Sequence, residues 1–347
     1  MSILDALDAD DFEQLTLVRD PESGIRSAVA VHDTTMGPAL GGVRMRRYPS
    51  HADAVRDAMA LARAMTVKSA LAGLDLGGGK SVIDAEPTRA NKDRFLPVHA
   101  RHVASLGGRY VPGADMGTDA ADMDVLAKHV PVVSSRRDPS PFTARGVLRA
   151  VVATLEWSGT GLEGRRVAVQ GLGKVGRSLV GLLRDAGATV LVADVDDARV
   201  REARDVAGAV PVGVGEILTA DVDVLCPCAA GGVLTPAVVD GLRARALVPG
   251  ANNPLSGDAV AAALHARGVA HVPDFVANAG GVIACEAEVH GCDDGIEAKI
   301  EAIGTTAVAV LDAAARRGTD TVAVAHELAA ERLAARAAGR PAFPAVV

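Results

Sequence analysis

The sequence is short of aromatic residues, of positive charge and of long apolar runs, and each shortage excludes a class of function. Aromatic side chains make up 2% of the 347 residues and the formal net charge is −7. The chain therefore offers neither stacking platforms for bases nor a basic field for a phosphate backbone. No run of about 18 apolar residues is present, and the acidic start MSILDALDADDFEQL has no signal-peptide pattern. We expect a cytoplasmic protein that binds neither nucleic acid nor membrane.

Metal-ligand patterns are also lacking. The four cysteines form a C-x-C pair and a distant pair that match no zinc or thioredoxin spacing: Cys226, Cys228, Cys285 and Cys292. His99 and His102 stand three residues apart on a predicted helix, but no Asp, Glu or Cys nearby completes a ligand set. We predict reduced structural thiols, histidines on a helix surface and no metal site.

The length and the 49% of hydrophobic residues fit two packed domains. Pro139 and Pro141 end the polar, turn-rich stretch 134–141, which is the best candidate for a linker. We predict a substrate, catalytic and oligomerisation domain over 1–137 and a dinucleotide-binding domain over 138–310. An Ala-rich helical segment over 311–347 is expected to pack back toward the first domain.

In the N-terminal half, alternation predicts a strand over 25–33, followed by a loop over 34–42 that ends in Leu40-Gly41-Gly42. Apolar spacing predicts a helix over 50–65 that delivers Lys68 just past its end. A second glycine loop, 77–80, carries Lys80 before a short strand, and Asp115 lies between a predicted strand and helix. The basic run 44–47 is expected to be a solvated face without a role.

The second half alternates strands, glycine turns and helices, which is typical of a doubly wound parallel sheet. Its strongest motif is GLGKVG at 171–176, directly after the apolar strand VAVQ. Glycines at such a turn allow close approach of a pyrophosphate, and the helix N-terminus supplies amide donors; the residues concerned are Gly171, Gly173, Lys174, Val175 and Gly176. Asp194 ends the next strand, where a carboxylate binds the adenosine ribose and favours NAD, although Arg199 nearby leaves room for NADP.

The segment from Gly73 to Ser81 also ends in G-K-S, as nucleotide-triphosphate loops do. Five residues separate Gly73 from Gly79 where that motif has four, and a strand follows instead of a helix. A nucleotide-triphosphate enzyme is therefore the remote alternative. If the fold brings Lys68, Lys80 and Asp115 together, one lysine would titrate low and act as a base. The spacing of these three residues in the sequence does not show that the fold brings them together.

Five segments together resemble the leucine, phenylalanine and valine dehydrogenases of the glutamate dehydrogenase superfamily: LGGVRM (40–45), TVKSALAGLDLGGGKSVI (66–83), ADMGTDAADMD (114–124), GLGKVG (171–176) and PDFVANAGGVI (273–283). The resemblance implies two α/β domains separated by a cleft, a symmetric homo-oligomer, and reversible NAD-dependent deamination of leucine, valine, isoleucine or phenylalanine to the 2-oxo acid and ammonia. It also implies that Lys68 holds the substrate carboxylate, that Lys80 is the general base and that Asp115 is the catalytic aspartate.

The same resemblance assigns the remaining site residues. Gly41, Gly42 and Asn278 would lie at the substrate, with a side-chain pocket from Leu40, Gly113, Val282 and Cys285, while Thr143 and Asn253 would lie near the cofactor. Pro254, Arg145 and the segment 284–292 depart from the family pattern and put substrate identity and rate in question. A non-catalytic paralogue that senses an amino acid or nucleotide is therefore the second alternative.

Overall fold

The structure is a computed structural model that describes residues 11–133 and 137–339, together with residues 3, 5 and 7. The chain forms two compact units. Unit 1 comprises 1–138, 285–293 and 329–347, and unit 2 comprises 139–284 and 294–328. The predicted linker falls at this junction, with its residues 134–136 outside the described part. The functional division at 137/138 and 310/311 stays a prediction.

Unit 1 contains a mixed five-stranded sheet. Its strands are β1 (Gln14–Arg19), β2 (Arg26–Asp33), β3 (Ala39–Arg46), β4 (Gly77–Asp84) and β5 (Tyr110–Ala114), in the order β1-β2-β4-β3-β5. The pairs β1–β2 and β2–β4 are antiparallel, whereas β3 runs parallel to both β4 and β5. The carboxyl ends of β3, β4 and β5 therefore share one edge.

Helices cover both faces of this sheet. Helix α1 (His51–Ala72) packs on one face through Ala58 and Met59 against Val82. Helices α2 (Arg89–Ala104) and α3 (Ala120–Leu126) cover the other face through Leu96, Met123 and their neighbours. Each buried side chain of this size stabilises the fold by about 1.5–3 kcal/mol. Alternate residues of β3 and β4 thus face α1 or α2.

Three sequence predictions for unit 1 are wrong. Helix α1 does not end at 65; it continues to Ala72, so Lys68 lies inside it. Thr66 and Val67 are buried against the sheet, and this packing overrides their weak helix propensity. The two glycine segments predicted as loops, 40–42 and 77–80, lie within β3 and β4.

Unit 2 confirms the predicted doubly wound fold. Its six strands are all parallel in the order β11-β10-β9-β6-β7-β8. They are β6 (Arg166–Gln170), β7 (Thr189–Ala193), β8 (Val210–Pro211), β9 (Val224–Pro227), β10 (Ala246–Leu247) and β11 (Ala270–His271). The order reverses at β6, so the β6 and β9 ends form the switch point where such folds bind ligands.

The remaining helices are α4 (Ser140–Trp157), α5 (Lys174–Asp185), α6 (Asp197–Ala207), α7 (Pro236–Gly241), α8 (Asp258–Ala266), α9 (Asp274–Ala277), α10 (Gly280–His290), α11 (Ile296–Arg317) and α12 (Thr321–Ala338). The last two make the C-terminal stretch helical, as its composition predicts. Among the described residues, no helix is long and apolar enough to cross a membrane. No group of three or more potential metal ligands occurs in that part of the chain.

Candidate active site

The structure brings Lys80 and Asp115 together. Lys80 lies in the middle of β4 with only 6% of its surface exposed, and Asp115 is the first residue after β5. The Lys80 ammonium nitrogen is 2.8 Å from Oδ2 of Asp115. A buried lysine within a strand does not fit a nucleotide-triphosphate loop, whose lysine opens a helix. The position of Lys80 therefore does not support the alternative of a nucleotide-triphosphate enzyme.

Arg44 is a third member of the cluster, and the expectation that the 44–47 run is a solvated face is wrong for this residue, whose side chain is 16% exposed. Its Nε donates to Asp115 Oδ2 at 2.9 Å, and one terminal nitrogen donates to Asp57 Oδ2 at 3.2 Å. Tyr48 donates its hydroxyl to the same Asp57 oxygen. Sequence analysis missed Arg44 because it placed 34–42 in a loop instead of in a strand that continues to Arg46. A strand over 39–46 would have put Arg44 on the same face as Gly42.

The charges in the cluster shift one another's pKa values. Burial lowers the pKa of Lys80, and Arg44 lowers it further, while Asp115 acts in the opposite sense without restoring the usual value. Burial raises the pKa of Asp115, but the charges of Lys80 and Arg44 more than offset this, so the net pKa is lowered. The arrangement supplies a lysine that can release its proton beside an aspartate that stays ionised.

Glycines 41 and 42 allow this close packing. A Cβ on Gly41 would lie 1.7 Å from the carbonyl oxygen of Gly79 in the neighbouring strand. A Cβ on Gly42 would lie 2.5 Å from Asp115 Cβ and 3.0 Å from the Lys80 nitrogen. Gly41 therefore serves sheet packing, whereas Gly42 leaves the space that the Lys80 and Asp115 side chains occupy.

Behind the site, a buried polar network supports the strands. Tyr110 donates its hydroxyl to the Gly41 carbonyl at 2.7 Å and lies 3.3 Å from Ser81 Oγ, which in turn lies 3.0 Å from His99 Nε2. The other ring nitrogen of His99 is 3.2 Å from Ser27 Oγ. His99 is fully buried and burial lowers its pKa to about 4, so the prediction that it lies on a helix surface is wrong.

The other predicted substrate residues fall in different surroundings. Lys68 is half-buried on α1, and Gly113 lies beside Gly42 in the β3–β5 ladder. Leu40 is 2% exposed and Cys285 is 8% exposed. Val282 is half-buried in the unit 2 part of α10. Their joint role as a side-chain pocket stays a prediction.

The predicted cofactor loop has the geometry that its sequence implies. Gly171 has φ +93°, and a Cβ on Gly176 would lie 1.9 Å from the Gly171 carbonyl oxygen. A Cβ on Gly173 would meet no atom of the described residues within 4 Å, which leaves room above the N-terminus of α5. Such a cradle fits a pyrophosphate held by backbone amides.

Asp194 follows β7 beside this loop. Its Oδ2 accepts the Leu172 N–H at 2.5 Å and its Oδ1 accepts the Asp196 N–H at 2.9 Å. Burial raises the pKa of Asp194, but these backbone bonds lower it to below its usual value overall. Arg199 lies 4.0 Å from Asp194 and 3.3 Å from Asp196, so acidic neighbours surround its charge.

The predicted asparagines occupy unusual positions at the same end of unit 2. Asn278 is 5% exposed and donates to Oδ1 of Asn252 at 2.9 Å, a partner that sequence analysis did not single out. Asn253 has a left-handed backbone with φ +49°, and its N–H donates to Asp274 at 3.0 Å. Thr143 donates its hydroxyl to the Pro139 carbonyl at 3.1 Å.

The positions that depart from the family pattern make the following contacts. Arg145 forms an ion pair with Glu297, which links α4 to α11. The carbonyl of Pro254 accepts the Leu234 N–H at 2.9 Å. In the 284–292 segment, Glu286 is buried and accepts the Asp75 N–H at 2.7 Å, just ahead of β4.

Comparison with known proteins agrees with these features. Residues 13–131 match the family described as Glu/Leu/Phe/Val dehydrogenase, dimerisation domain, and residues 192–340 match Glutamate/Leucine/Phenylalanine/Valine dehydrogenase. Leucine dehydrogenase of Bacillus cereus is 37% identical over 96% of this chain and 94% of its own length. Valine dehydrogenase of Streptomyces coelicolor is 40% identical over 93% of this chain and 92% of its own length.

A solved structure supports the same relationship. The crystal structure of L-tryptophan dehydrogenase from Nostoc punctiforme superposes with a TM-score of 0.88 at 33% identity. The match covers 96% of this chain and 99% of that one. The sequence resemblance is thereby confirmed over both units.

Proposed function

Because the chain belongs to the Glu/Leu/Phe/Val dehydrogenase family, we propose that it catalyses reversible, NAD-dependent oxidative deamination of a small apolar L-amino acid to its 2-oxo acid and ammonia. The observation that carries this proposal is the buried pair of Lys80 and Asp115, 2.8 Å apart. A low-titrating amine beside a carboxylate supplies the proton transfers that deamination needs.

In the proposed reaction, Lys68 binds the substrate carboxylate through its charge. When bound, the nicotinamide ring of the cofactor accepts the hydride that leaves the substrate α-carbon. Water then adds to the resulting iminium carbon, and the neutral Lys80 amine takes the proton that this water gives up. Lys80 passes this proton to Asp115, which is otherwise ionised and gives it to the departing amine. The carbinolamine then collapses, its hydroxyl proton returns to the neutral Lys80 amine, and the 2-oxo acid and ammonia are released.

The residues around GLGKVG fit a dinucleotide. Gly173 leaves space above the α5 N-terminus, and Asp194 provides a carboxylate at the end of the next strand. That carboxylate would repel a 2′-phosphate, and Arg199 lies beside Asp194 and Asp196. We therefore propose NAD, with Lys174, Val175, Thr143 and Asn253 as further residues that contact it.

For the substrate we propose leucine, valine, isoleucine or phenylalanine. Leu40 and Cys285 are buried and uncharged, Gly113 gives space, and Val282 is apolar. None of these positions supplies a cation for a side-chain carboxylate, which disfavours glutamate. Asn278 is proposed to contact the substrate amine.

We also propose that the protein is a homo-oligomer. The family matched by residues 13–131 is described as a dimerisation domain. A structural relative from Thermus thermophilus, 26% identical with a TM-score of 0.75, is described as a hetero-hexameric glutamate dehydrogenase. Light scattering after gel filtration gives the mass directly, and a monomer at micromolar concentration would contradict this. The cytoplasmic location stays a prediction.

The proposal is tested by following NADH formation at 340 nm with a panel of amino acids: leucine, valine, isoleucine, phenylalanine, tryptophan, alanine and glutamate. NAD and NADP are compared for each substrate. We expect turnover with NAD and a branched or aromatic amino acid, and little with glutamate. Silence across the panel, with NAD binding retained by calorimetry, would instead favour the non-catalytic sensor.

A further inference from the structure

Arg44 lies on the face of the sheet that carries the catalytic pair. In the β3–β4 ladder Leu40 pairs with Gly78 and Val43 with Ser81, which sets Gly42 beside Lys80 and Arg44 beside Val82. Side chains two residues apart in a strand share a face. Arg44 therefore lies on the same face as Gly42, nearer the carboxyl end of β3, and contacts Asp115 from there.

Arg44 connects Asp115 to Asp57 through two different guanidinium nitrogens. Asp115 Oδ2 receives two donors, the Lys80 ammonium at 2.8 Å and Arg44 Nε at 2.9 Å. The guanidinium is itself anchored, because another of its nitrogens bonds Asp57 on α1 and Tyr48 bonds the same Asp57 oxygen. The planar guanidinium keeps both bonds in a fixed geometry, which a flexible lysine cannot do.

Besides burial, three charged groups shift the pKa of Lys80. Asp115 follows β5, Asp57 lies on α1 and Arg44 lies on β3; the two aspartates raise the pKa of Lys80 and Arg44 lowers it. Removing Arg44 and removing Asp115 should therefore shift the titration of Lys80 in opposite directions.

We propose that Arg44 is a positioning residue, which bridges Asp57 and Asp115 and so holds the Asp115 carboxylate against the Lys80 amine. The catalytic consequence rests on the proposed function, whereas the effect on Lys80 itself does not. The bridge also explains why Asp57 and Tyr48, which lie beyond the catalytic pair, belong to the same hydrogen-bonded chain.

The first test compares Arg44→Gln, Arg44→Lys and Asp115→Asn in the deamination assay across pH. Arg44→Gln should lower kcat by about 10- to 100-fold, because the Asp115 carboxylate is no longer held in place. It should also shift the ascending limb of the pH–kcat profile to higher pH by about one unit. Arg44→Lys keeps the charge, so its limb should stay near the wild-type position while kcat still falls. Asp115→Asn should move the residual limb to lower pH.

The second test needs no turnover. Lysine occurs only at positions 68, 80, 92, 128, 174 and 299, so protein labelled with ε-¹³C lysine gives few NMR signals, and Lys80→Arg assigns the one of interest. The Lys80 signal should titrate at higher pH in Arg44→Gln than in wild type. If wild type fails to oxidise any amino acid, the proposed function fails, while this titration still shows whether Arg44 lowers the pKa of the Lys80 amine.

Two outcomes would overturn the inference. One is Arg44→Gln with wild-type kcat, pH limb and Lys80 titration, even if its melting temperature falls, because that would make Arg44 purely structural. If Arg44→Gln does not fold, Arg44→Lys is the deciding variant. Wild-type kcat in a folded Arg44→Lys protein would show that the bridge has no role in positioning.

Discussion

Each unit of the molecule contains a glycine-rich segment that ends in lysine, and the two segments do opposite things. In unit 1, Gly77-Gly78-Gly79-Lys80 lies inside strand β4 and is fully buried. In unit 2, Gly171-Leu172-Gly173-Lys174 forms a turn between a strand and a helix, and Lys174 is exposed. Gly77 and Gly78 of the first admit the protein's own backbone, whereas Gly173 of the second has open space beside it.

The difference shows that glycine content does not identify a binding loop. A Cβ on Gly78 would lie 2.1 Å from the backbone nitrogen of Thr66 on α1, so this glycine is needed for helix–sheet packing. Gly173 has open space where its Cβ would be. A glycine segment serves packing when other parts of the chain fill the space beside its glycines, and it can accept a ligand when that space is open.

The largest effect should come from the lysines. Lys80→Met removes the proposed base and should lower kcat by about a thousandfold, while NAD binding measured by calorimetry is retained. Lys174→Met should raise the KM for NAD without a comparable loss of kcat. Lys128 is exposed on unit 1 away from the site, so Lys128→Met is the matched control and should behave as wild type. Full turnover in Lys80→Met would contradict the assigned chemistry.

Alanine at one glycine in each segment gives the next largest effect. Gly78→Ala collides with backbone and should reduce the free energy of unfolding by about 3 kcal/mol or more. Gly173→Ala has φ −66° and open space, so stability should be unchanged while NAD affinity falls by about tenfold. Denaturant unfolding and calorimetry measure the two effects separately. Equal stability loss in both variants would remove the distinction between the segments.

The two units also differ in how well their sequence predicts them. GLGKVG, its flanking strand and Asp194 are local, since the glycines and the acid lie within one βαβ pattern. The unit 1 site depends on pairing between strands that are distant in sequence, and Arg44 reaches Asp115 across 71 positions. Strand pairing of this kind leaves little local signal, so Lys80 and Asp115 were assigned only through resemblance, and Arg44 was missed.

The family resemblance did not correct the two wrong loop predictions, 40–42 and 77–80, either. Glycines in β3 and β4 have weak strand propensity, and local patterns therefore favour a turn. Close packing against Thr66, Tyr110 and the neighbouring strand makes the strand the better solution. The same tertiary packing extends α1 beyond the β-branched residues where its pattern weakens.

The smallest predicted effect concerns one buried histidine in each unit. His99 in unit 1 and His271 in unit 2 are both buried, and burial lowers the pKa of each from 6.5 to about 4. The unfolded chain binds protons at these residues below about pH 6.5, whereas the folded chain does so only near pH 4. Stability should therefore fall as the pH drops through that window, by up to about 3 kcal/mol for each histidine.

Urea unfolding of His99→Gln and His271→Gln between pH 7 and pH 4 checks this contribution. Each variant should show a flatter dependence of stability on pH than wild type, whatever its stability at pH 7. His99 has both ring nitrogens near serine hydroxyls, whereas Nε2 of His271 has no partner among the described residues. His99→Gln should therefore lose more stability at pH 7, because it breaks the network that supports the Lys80 strand, and equal losses would show that the network contributes little to the fold.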